Sequence, residues 1–259
     1  MITDSFDSKS NAIIKPEAFY GEKKNFSDIA IATFSDKIFY YVLRQFKNTK
    51  IGKFRAHVTA KDIYLIEVEG RKIVFYLSNI GSTLATMDII EINHVTGANK
   101  FIFFGSAGSL DNEKTKNKFV IPTSAYRDEG ASYHFKKTSD YIRIKNSSFM
   151  QKFFKEKNIP YIAGKVWTTD APYRETENNA KKRKDEGCIA VEMEVAGVQA
   201  VCDFYGFDFY DFLVTGDVLY TDSNIKYDKR GFSKANHDVD KFFIALELVK
   251  ALDLNKKKQ

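Results

Sequence analysis

Two glutamates that flank a methionine, Glu192-Met193-Glu194, are the residues whose types and spacing most clearly suggest chemistry in this sequence. They follow an apolar run, Cys188 to Val191, and precede small residues with helical spacing. The pattern predicts a buried strand that ends where a helix begins, with two carboxyl groups at the junction. Acidic side chains are favoured at any helix N-terminus. Two of them around a thioether suggest more, a site that holds a polyol while the methionine packs on its carbon face.

A second candidate is the segment Gly105-Ser106-Ala107-Gly108-Ser109, which follows the apolar run Phe101 to Phe104. Small residues after a buried strand predict a turn whose backbone N–H groups and hydroxyls converge on an anion. The alternative is a tight turn in which glycine serves only the backbone geometry.

Asp217 follows Val214-Thr-Gly216, and we expect it immediately past the last core strand. A carboxyl group there suits general acid catalysis, in which it protonates a ring nitrogen as a leaving group departs. The alternative is an aspartate that only forms a turn, which is common.

Two further polar segments follow predicted strands. The first, Arg127 to His134, is dense in polar side chains, and a surface turn explains it equally well. In the second, Trp167 and Tyr173 suggest walls of a pocket for a planar base. Thr169 or Asp170 has a simpler interpretation as a helix cap, since Pro172 fits the first turn of a helix.

The composition limits the classes of protein. The chain has 259 residues, 44% of them hydrophobic, which suits one large α/β domain with a full core. The net charge is +6, but the lysine-rich runs have no interleaved aromatic residues, so we expect no nucleic-acid partner. We also expect no membrane span and no signal peptide. Two cysteines and four scattered histidines predict no metal site, and a cytoplasmic location with reduced thiols.

The order of predicted elements indicates a mixed sheet between helices. Three early strands form a meander, and strands then alternate with helices. We expect a polar arm over residues 1–25 and a single domain over residues 26–255. Ligands of such sheets bind beyond the carboxyl ends of strands, where the polar clusters lie. Among the predicted helices are those over residues 36–46, 84–95, 149–157, 174–186, 194–205 and 234–252.

Four segments together resemble the superfamily of nucleoside phosphorylases and nucleosidases, which includes uridine phosphorylase and hexameric purine nucleoside phosphorylase. They are FFGSAGS (103–109), RDEGASYHF (127–135), TTDAPYRET (168–176) and CIAVEMEVAGVQAVC (188–202). The resemblance covers roughly residues 26–250. It implies a single α/β domain whose mixed central sheet forms a distorted barrel flanked by helices.

The resemblance also implies roles for individual residues, with phosphate as co-substrate and no metal or organic cofactor. Met193 and Glu194 would bind the ribose, Glu194 through the 2′- and 3′-hydroxyls, because an ionised carboxylate accepts from both. Asp217 would protonate the base, which favours a purine, and Arg230 has the spacing of an arginine that assists it. The other implied contacts are Val191, Glu192 and Tyr173 to the base and Gly105, Ser106 and Lys37 to phosphate.

The sequence departs from the phosphorylase pattern at the phosphate site. Phe103 stands where these enzymes carry an arginine, and their earlier phosphate loop is replaced by residues 32–37. Lys37 offers a point charge, whereas an arginine would bind phosphate through two N–H groups. Arg55 is a further candidate for the phosphate contact.

The sequence therefore suggests three alternative functions. We favour a nucleoside phosphorylase, of purines before uridine, that works as a homo-oligomer, a dimer or a trimer of dimers. The second is a nucleosidase that uses water. The third is a catalytically silent nucleoside-binding protein.

Overall fold

The structure is a computed structural model that describes residues 1–56, 59–219 and 226–256, without the side chains of residues 55, 56 and 254–256. In these residues the β-strands join in one mixed sheet. The strands are β1 Ile29–Thr33, β2 Asn48–Ala56, β3 Thr59–Val68, β4 Arg71–Leu77, β5 Lys100–Ser109, β6 Phe119–Asp128, β7 Tyr141–Arg143, β8 Tyr161–Thr169, β9 Cys188–Glu192, β10 Asp208–Leu219 and β11 Tyr227–Asp228.

Helices cover the sheet. They are α1 Glu17–Tyr20, α2 Asp36–Gln45, α3 Ser82–Thr96, α4 Asn112–Thr115, α5 Ser132–Phe135, α6 Ser147–Glu156, α7 Glu177–Asp185, α8 Val195–Tyr205, α9 Phe232–His237 and α10 Asp240–Lys256. None of the helices in the described parts of the chain has the length and apolar character that crossing a bilayer requires.

The sheet closes on itself, as the expected barrel requires. Strands β10, β6, β8, β9 and β5 pair in succession, and β5 also pairs with β10, in parallel from Lys100 to Ser109. Beyond β5, the sheet continues through β1 to the meander of β4, β3 and β2, which confirms the predicted early hairpins. The prediction of one α/β domain with a mixed, barrel-like sheet is therefore confirmed.

Two apolar layers hold the helices on the sheet. One fills the barrel and packs under α3 and α8, and the other lies under α2, α6 and α10. Helices α3 and α8 meet closely because Gly197 has no side chain, and a Cβ there would lie 2.9 Å from the Cβ of Ser82. This contact brings together the N-termini of α3 and α8, the helices that begin at the candidate site.

Several boundaries were predicted correctly. Ser35 caps α2, its hydroxyl accepting a hydrogen bond from the Ile38 amide at 3.2 Å. The helix predicted over 174–186 begins later, because the cap is Thr176 rather than Thr169 or Asp170. The helix predicted over 234–252 is two helices, α9 and α10, and the buried amino group of Lys241 donates to the carbonyls at the end of α9.

The predicted turn at Gly105–Ser109 was wrong, because β5 continues through it as strand. The glycines serve close packing instead. A Cβ on Gly108 would lie 2.8 Å from Leu219 Cδ1 and 2.9 Å from Val191 Cγ1. Asp217 likewise lies within β10 rather than beyond it, next to a β-bulge at Gly216.

The predicted N-terminal arm runs over the surface of its own chain. Backbone bonds tie Lys24 to the His94 carbonyl and Phe26 to the Thr96 carbonyl at the end of α3. A contact of this arm with a neighbouring subunit stays a prediction.

Candidate active site

A cavity of about 860 Å³ lies where β5, β9 and β10 meet, with α9 and the turn after β8 on its rim. Most of the predicted site residues line it. They are Gly105, Ser106, Tyr173, Val191, Glu192, Met193, Glu194 and Asp217. The structure therefore brings into one space four segments that are separate in the sequence.

The junction of β9 and α8 is organised by the Glu192 side chain. One of its carboxyl oxygens accepts the backbone amides of Glu194 and Val195, both at 2.7 Å, and the other accepts the hydroxyl of Thr168. These amides are the first N–H groups of α8, which have no partner within the helix. Glu192 thus caps α8 and fixes the backbone of the two residues that follow it.

Glu194 is held from the other side by helix α3. Its Oε1 accepts the backbone amide of Gly81 at 2.6 Å, and the Ser82 hydroxyl donates to the Met193 carbonyl at 3.1 Å. Helices α3 and α8 thus both have their N-termini at Met193 and Glu194. A carboxylate at two helix N-termini is held firmly, because amides and helix dipoles favour its charge.

The two glutamates have perturbed acidities. Burial raises the pKa of Glu192 to about 7. Burial and then the charge of Glu192 raise the pKa of Glu194 to about 8. The pair therefore shares a proton near neutral pH, and a ligand that donates hydrogen bonds to Glu194 would favour its ionised form.

A second acidic pair lies at the opposite wall. Burial raises the pKa of Asp217, whose carboxyl group hydrogen bonds with Tyr227. Burial and then the charge of Asp217 raise the pKa of Glu175 to about 7. A raised pKa lets a carboxyl group hold its proton to a higher pH, which suits a group that protonates a leaving group. Arg230, the predicted partner of Asp217, forms hydrogen bonds to Asp228 in the structure, with its side chain 89% exposed.

The predicted phosphate side of the cavity has a different character. The aromatic rings of Phe34 and Phe103 pack there with centroids 5.7 Å apart. The hydroxyl of Ser106 donates to the side chain of Asn236 on α9. His237, next along α9, is 2.8 Å from the hydroxyl of Ser35 at the start of α2.

The remaining predicted residues lie elsewhere or at the rim. Lys37 is exposed on the first turn of α2 and is not among the described residues that line the cavity. The side chain of Arg55 lies outside the described residues. Tyr173 is fully exposed at the cavity mouth, whereas Trp167 is buried in the core and donates to Asp128 at 2.9 Å. The prediction that Trp167 forms a wall of the pocket is thus wrong.

The polar segment after β6 has a structural role. The guanidinium of Arg127 is buried and donates to the Ser132 hydroxyl and to the carbonyls of Lys136 and Lys137. These bonds hold the loop around α5, so the interpretation of this segment as an ordinary loop fits best.

Sequence reasoning missed several cavity residues, of which Asp211 is the most unusual. It lies on β10 between the inward-facing Phe209 and Leu213, and its side chain is buried. The signal was present, since a lone acid within an apolar strand is rarely buried without a reason. Glu175, Tyr227 and the α9 residues had no comparable signal, because only the fold brings them to the cavity. In the described part of the chain, no three His, Cys, Asp or Glu side chains are grouped to hold a metal ion.

Comparison with known proteins agrees with this fold. A model of the phosphorylase superfamily matches residues 28–245, and the chain belongs to that superfamily. A purine nucleoside phosphorylase of DeoD type from Exiguobacterium sibiricum is 26% identical over 165 residues, which are 62% of this chain and 70% of that protein. A protein of the same description from Bacillus cereus is 22% identical over the same shares.

Two solved structures have the same fold. Futalosine hydrolase of Helicobacter pylori superposes with a TM-score of 0.65 at 17% identity, covering 85% of this chain and 97% of that one. The 5′-methylthioadenosine/S-adenosyl homocysteine nucleosidase of Campylobacter jejuni also has a TM-score of 0.65, at 21% identity, covering 87% and 97%. The same fold is therefore found in a hydrolase and in a nucleosidase.

Proposed function

We propose that this protein cleaves the N-glycosidic bond of a ribonucleoside, of a purine in particular, with water as the attacking group. The observation that carries the choice of water is the charge of the cavity wall. Of its described lining residues, six are Asp or Glu, one is Lys and none is Arg. That lysine, Lys226, already pairs with Glu177 at 3.0 Å.

The ribose would bind at the β9–α8 junction. Glu194 would accept hydrogen bonds from the 2′- and 3′-hydroxyls, and Met193 would pack against the carbon face of the sugar. Support comes from the amide of Gly81 and the cap formed by Glu192, which leave Glu194 little freedom to move. A preorganised carboxylate also stabilises the positive charge that develops on the sugar ring as the bond breaks.

The base would lie between Val191 and Asp217, over Gly108. Because Gly108 has no Cβ, Val191 and the carboxyl group of Asp217 approach from both sides of β5. Asp217 would give its proton to a ring nitrogen of the base, and Tyr227 would orient it. A purine suits this site because N7 accepts a proton without loss of the ring's aromaticity.

The attacking group would come from the side of Phe34 and Phe103. A phosphate dianion needs cationic or convergent N–H donors to replace its hydration. The carboxyl groups here would at best be neutral, and the ionised ones would repel phosphate. Water has no such requirement.

The test is the identity of the sugar product. Purified protein is incubated with inosine, adenosine and uridine, with and without phosphate, and base and sugar are separated by chromatography. We expect hypoxanthine or adenine with free ribose, at a rate that phosphate does not increase. Ribose 1-phosphate as the product would contradict the proposal.

The second candidate is phosphorolysis, which the sequence analysis favoured. Ser106 and Gly105 do line the cavity, and the relatives of DeoD type are described as phosphorylases. In that case base release would require phosphate, and its rate would saturate as the phosphate concentration rises. A catalytically silent binding protein would release no base with any nucleoside.

A further inference from the structure

Asp211 is a buried acid that has no role in the proposed binding of the sugar and protonation of the base. Its side chain is only 4% exposed, yet it lines the cavity. The backbone amide of Phe212 donates to the carboxyl group, and Oδ2 has no hydrogen-bond partner among the described residues. A buried carboxyl oxygen without a partner costs stability, so its retention needs another explanation.

Asp211 lies on the wall of the cavity with Phe103, Phe209 and Leu213, and we call this part of the wall the floor. On the adjacent strand β5 its register partner is Phe103, whose ring packs on Phe209 with centroids 5.5 Å apart. Asp211 shares this cavity with Glu192 and Glu194, whose charges act on its carboxyl group. Along β10, Asp217 is six residues further on, toward the base.

We propose that Asp211 is the general base for the attacking water, an inference that rests on the proposed hydrolytic function. The oxygen of the water forms a bond to C1′ while the bond from C1′ to the base nitrogen breaks, and the bonding electrons leave with the base. The water gives a proton to Asp211, and the base receives one from Asp217. The products are free ribose and free base, and both carboxyl groups recover their starting state by exchange with solvent.

The surroundings of Asp211 suit this step. The apolar side chains of Phe103, Phe209 and Leu213 line the cavity with Asp211, and burial raises the pKa of Asp211. A base of raised pKa accepts a proton more readily than an exposed aspartate. The other titratable groups on the cavity wall are Glu175, Glu177, Glu192, Glu194, Asp217, Lys226, Tyr227 and His237.

The main test is Asp211→Asn, which keeps the shape of the side chain and removes its basicity. We expect kcat for inosine to fall by about a hundredfold or more, while KM changes less than threefold. The decrease of kcat at low pH that the wild type shows should disappear. We also expect a midpoint of thermal unfolding no lower than that of the wild type, because a buried acid without a partner is lost. A lower midpoint would show a structural role and overturn the proposal.

Chemical rescue gives an independent readout. In Asp211→Ala, added azide should fit the vacated floor and attack C1′, restoring base release with ribosyl azide as product. Absence of rescue together with a wild-type pH profile in Asp211→Asn would overturn the assignment. The matched control is Asp208→Asn on the same strand, where the carboxylate binds Lys145 at 3.1 Å outside the cavity. It should keep the wild-type kcat.

Failure of the hydrolytic function itself would be visible separately. If the wild type makes ribose 1-phosphate, or releases no base, the proposed function is wrong whatever Asp211 does. If the wild type makes ribose and Asp211→Asn keeps its kcat within threefold, only the role of Asp211 is wrong.

Discussion

The two ends of the cavity are built in different ways. At the sugar end, the carboxyl groups of Glu192 and Glu194 accept backbone amides from two helix N-termini. At the floor, aromatic rings surround Asp211, whose Oδ2 has no partner among the described residues. In the proposed function, the first arrangement would fix the ribose. The second leaves the attacking group to a few side chains, which can change without loss of the fold.

The difference also explains how strongly each end is coupled to folding. The capping bonds of Glu192 hold α8, which packs on α3 and on the barrel. A change there disturbs an element of the core. Asp211 at the floor accepts the backbone amide of the adjacent Phe212 on its own strand, so its substitution should alter chemistry more than structure. Variants at the two ends should therefore separate activity from stability.

The largest effect should come from Asp217→Asn at the base end. The amide cannot protonate the departing base, so kcat for inosine should fall by about a thousandfold in steady-state assays. A 4-nitrophenyl riboside, whose leaving group needs no proton, should keep most of its rate. Equal losses on both substrates would mean that Asp217 positions the ligand rather than protonates it.

Next in size is Glu194→Gln at the sugar end. A neutral amide accepts more weakly from the 2′- and 3′-hydroxyls, and we expect kcat/KM for inosine to fall by about tenfold to a hundredfold, or roughly 1.5–3 kcal/mol. The comparison substrate is 2′-deoxyinosine, for which the loss should be several-fold smaller. The same loss with both sugars would contradict the contact of Glu194 with the 2′-hydroxyl.

For the same reason, more of the sugar end than of the floor could be predicted from the sequence. Residues 188–202 carry a compact local pattern, a buried strand, a cap and a helix of small residues, so Met193 and Glu194 were identified before the structure. The barrel was expected only through the resemblance to the superfamily, because strand pairing across ninety or more residues leaves no local pattern. Only that pairing of strands brings Asp211 and Glu175 to the site.

The glycine-rich segment shows a second limit of sequence reasoning. Gly105 and Gly108 predicted a turn, since glycine commonly serves a tight turn. In the structure both lie within strand β5, and the absence of a Cβ at Gly108 admits Val191 and Leu219. A glycine that serves close packing and one that serves a turn look alike in a single sequence.

A moderate effect on both activity and stability is expected at Glu192. Replacement by Leu would leave the amides of Glu194 and Val195 and the hydroxyl of Thr168 without their acceptor, at a cost of about 2–4 kcal/mol in the free energy of unfolding. Glu192→Gln keeps an acceptor for the amides and should cost less than about 1 kcal/mol. Chemical denaturation measures both. Equal stability of the two variants would argue against the cap.

The last difference between the two ends lies in the dependence of stability on pH in the ligand-free protein. Glu194 has a pKa of about 8 in the folded state and about 4.5 when unfolded, so the folded state binds more protons between these values. Its contribution is fully present below about pH 4.5 and is lost as the pH rises through about 8, and Glu192, with a pKa of about 7, acts in the same direction. The free energy of unfolding should therefore fall from pH 5 to pH 8, and Glu194→Gln should make this slope shallower. Because burial also raises the pKa of Asp211, Asp211→Asn should reduce the slope as well. If the slopes of the Glu194 and Asp211 variants both match that of the wild type, burial raises the pKa of neither carboxyl group. The electrostatic difference between the cavity and ordinary surface acids would then be removed.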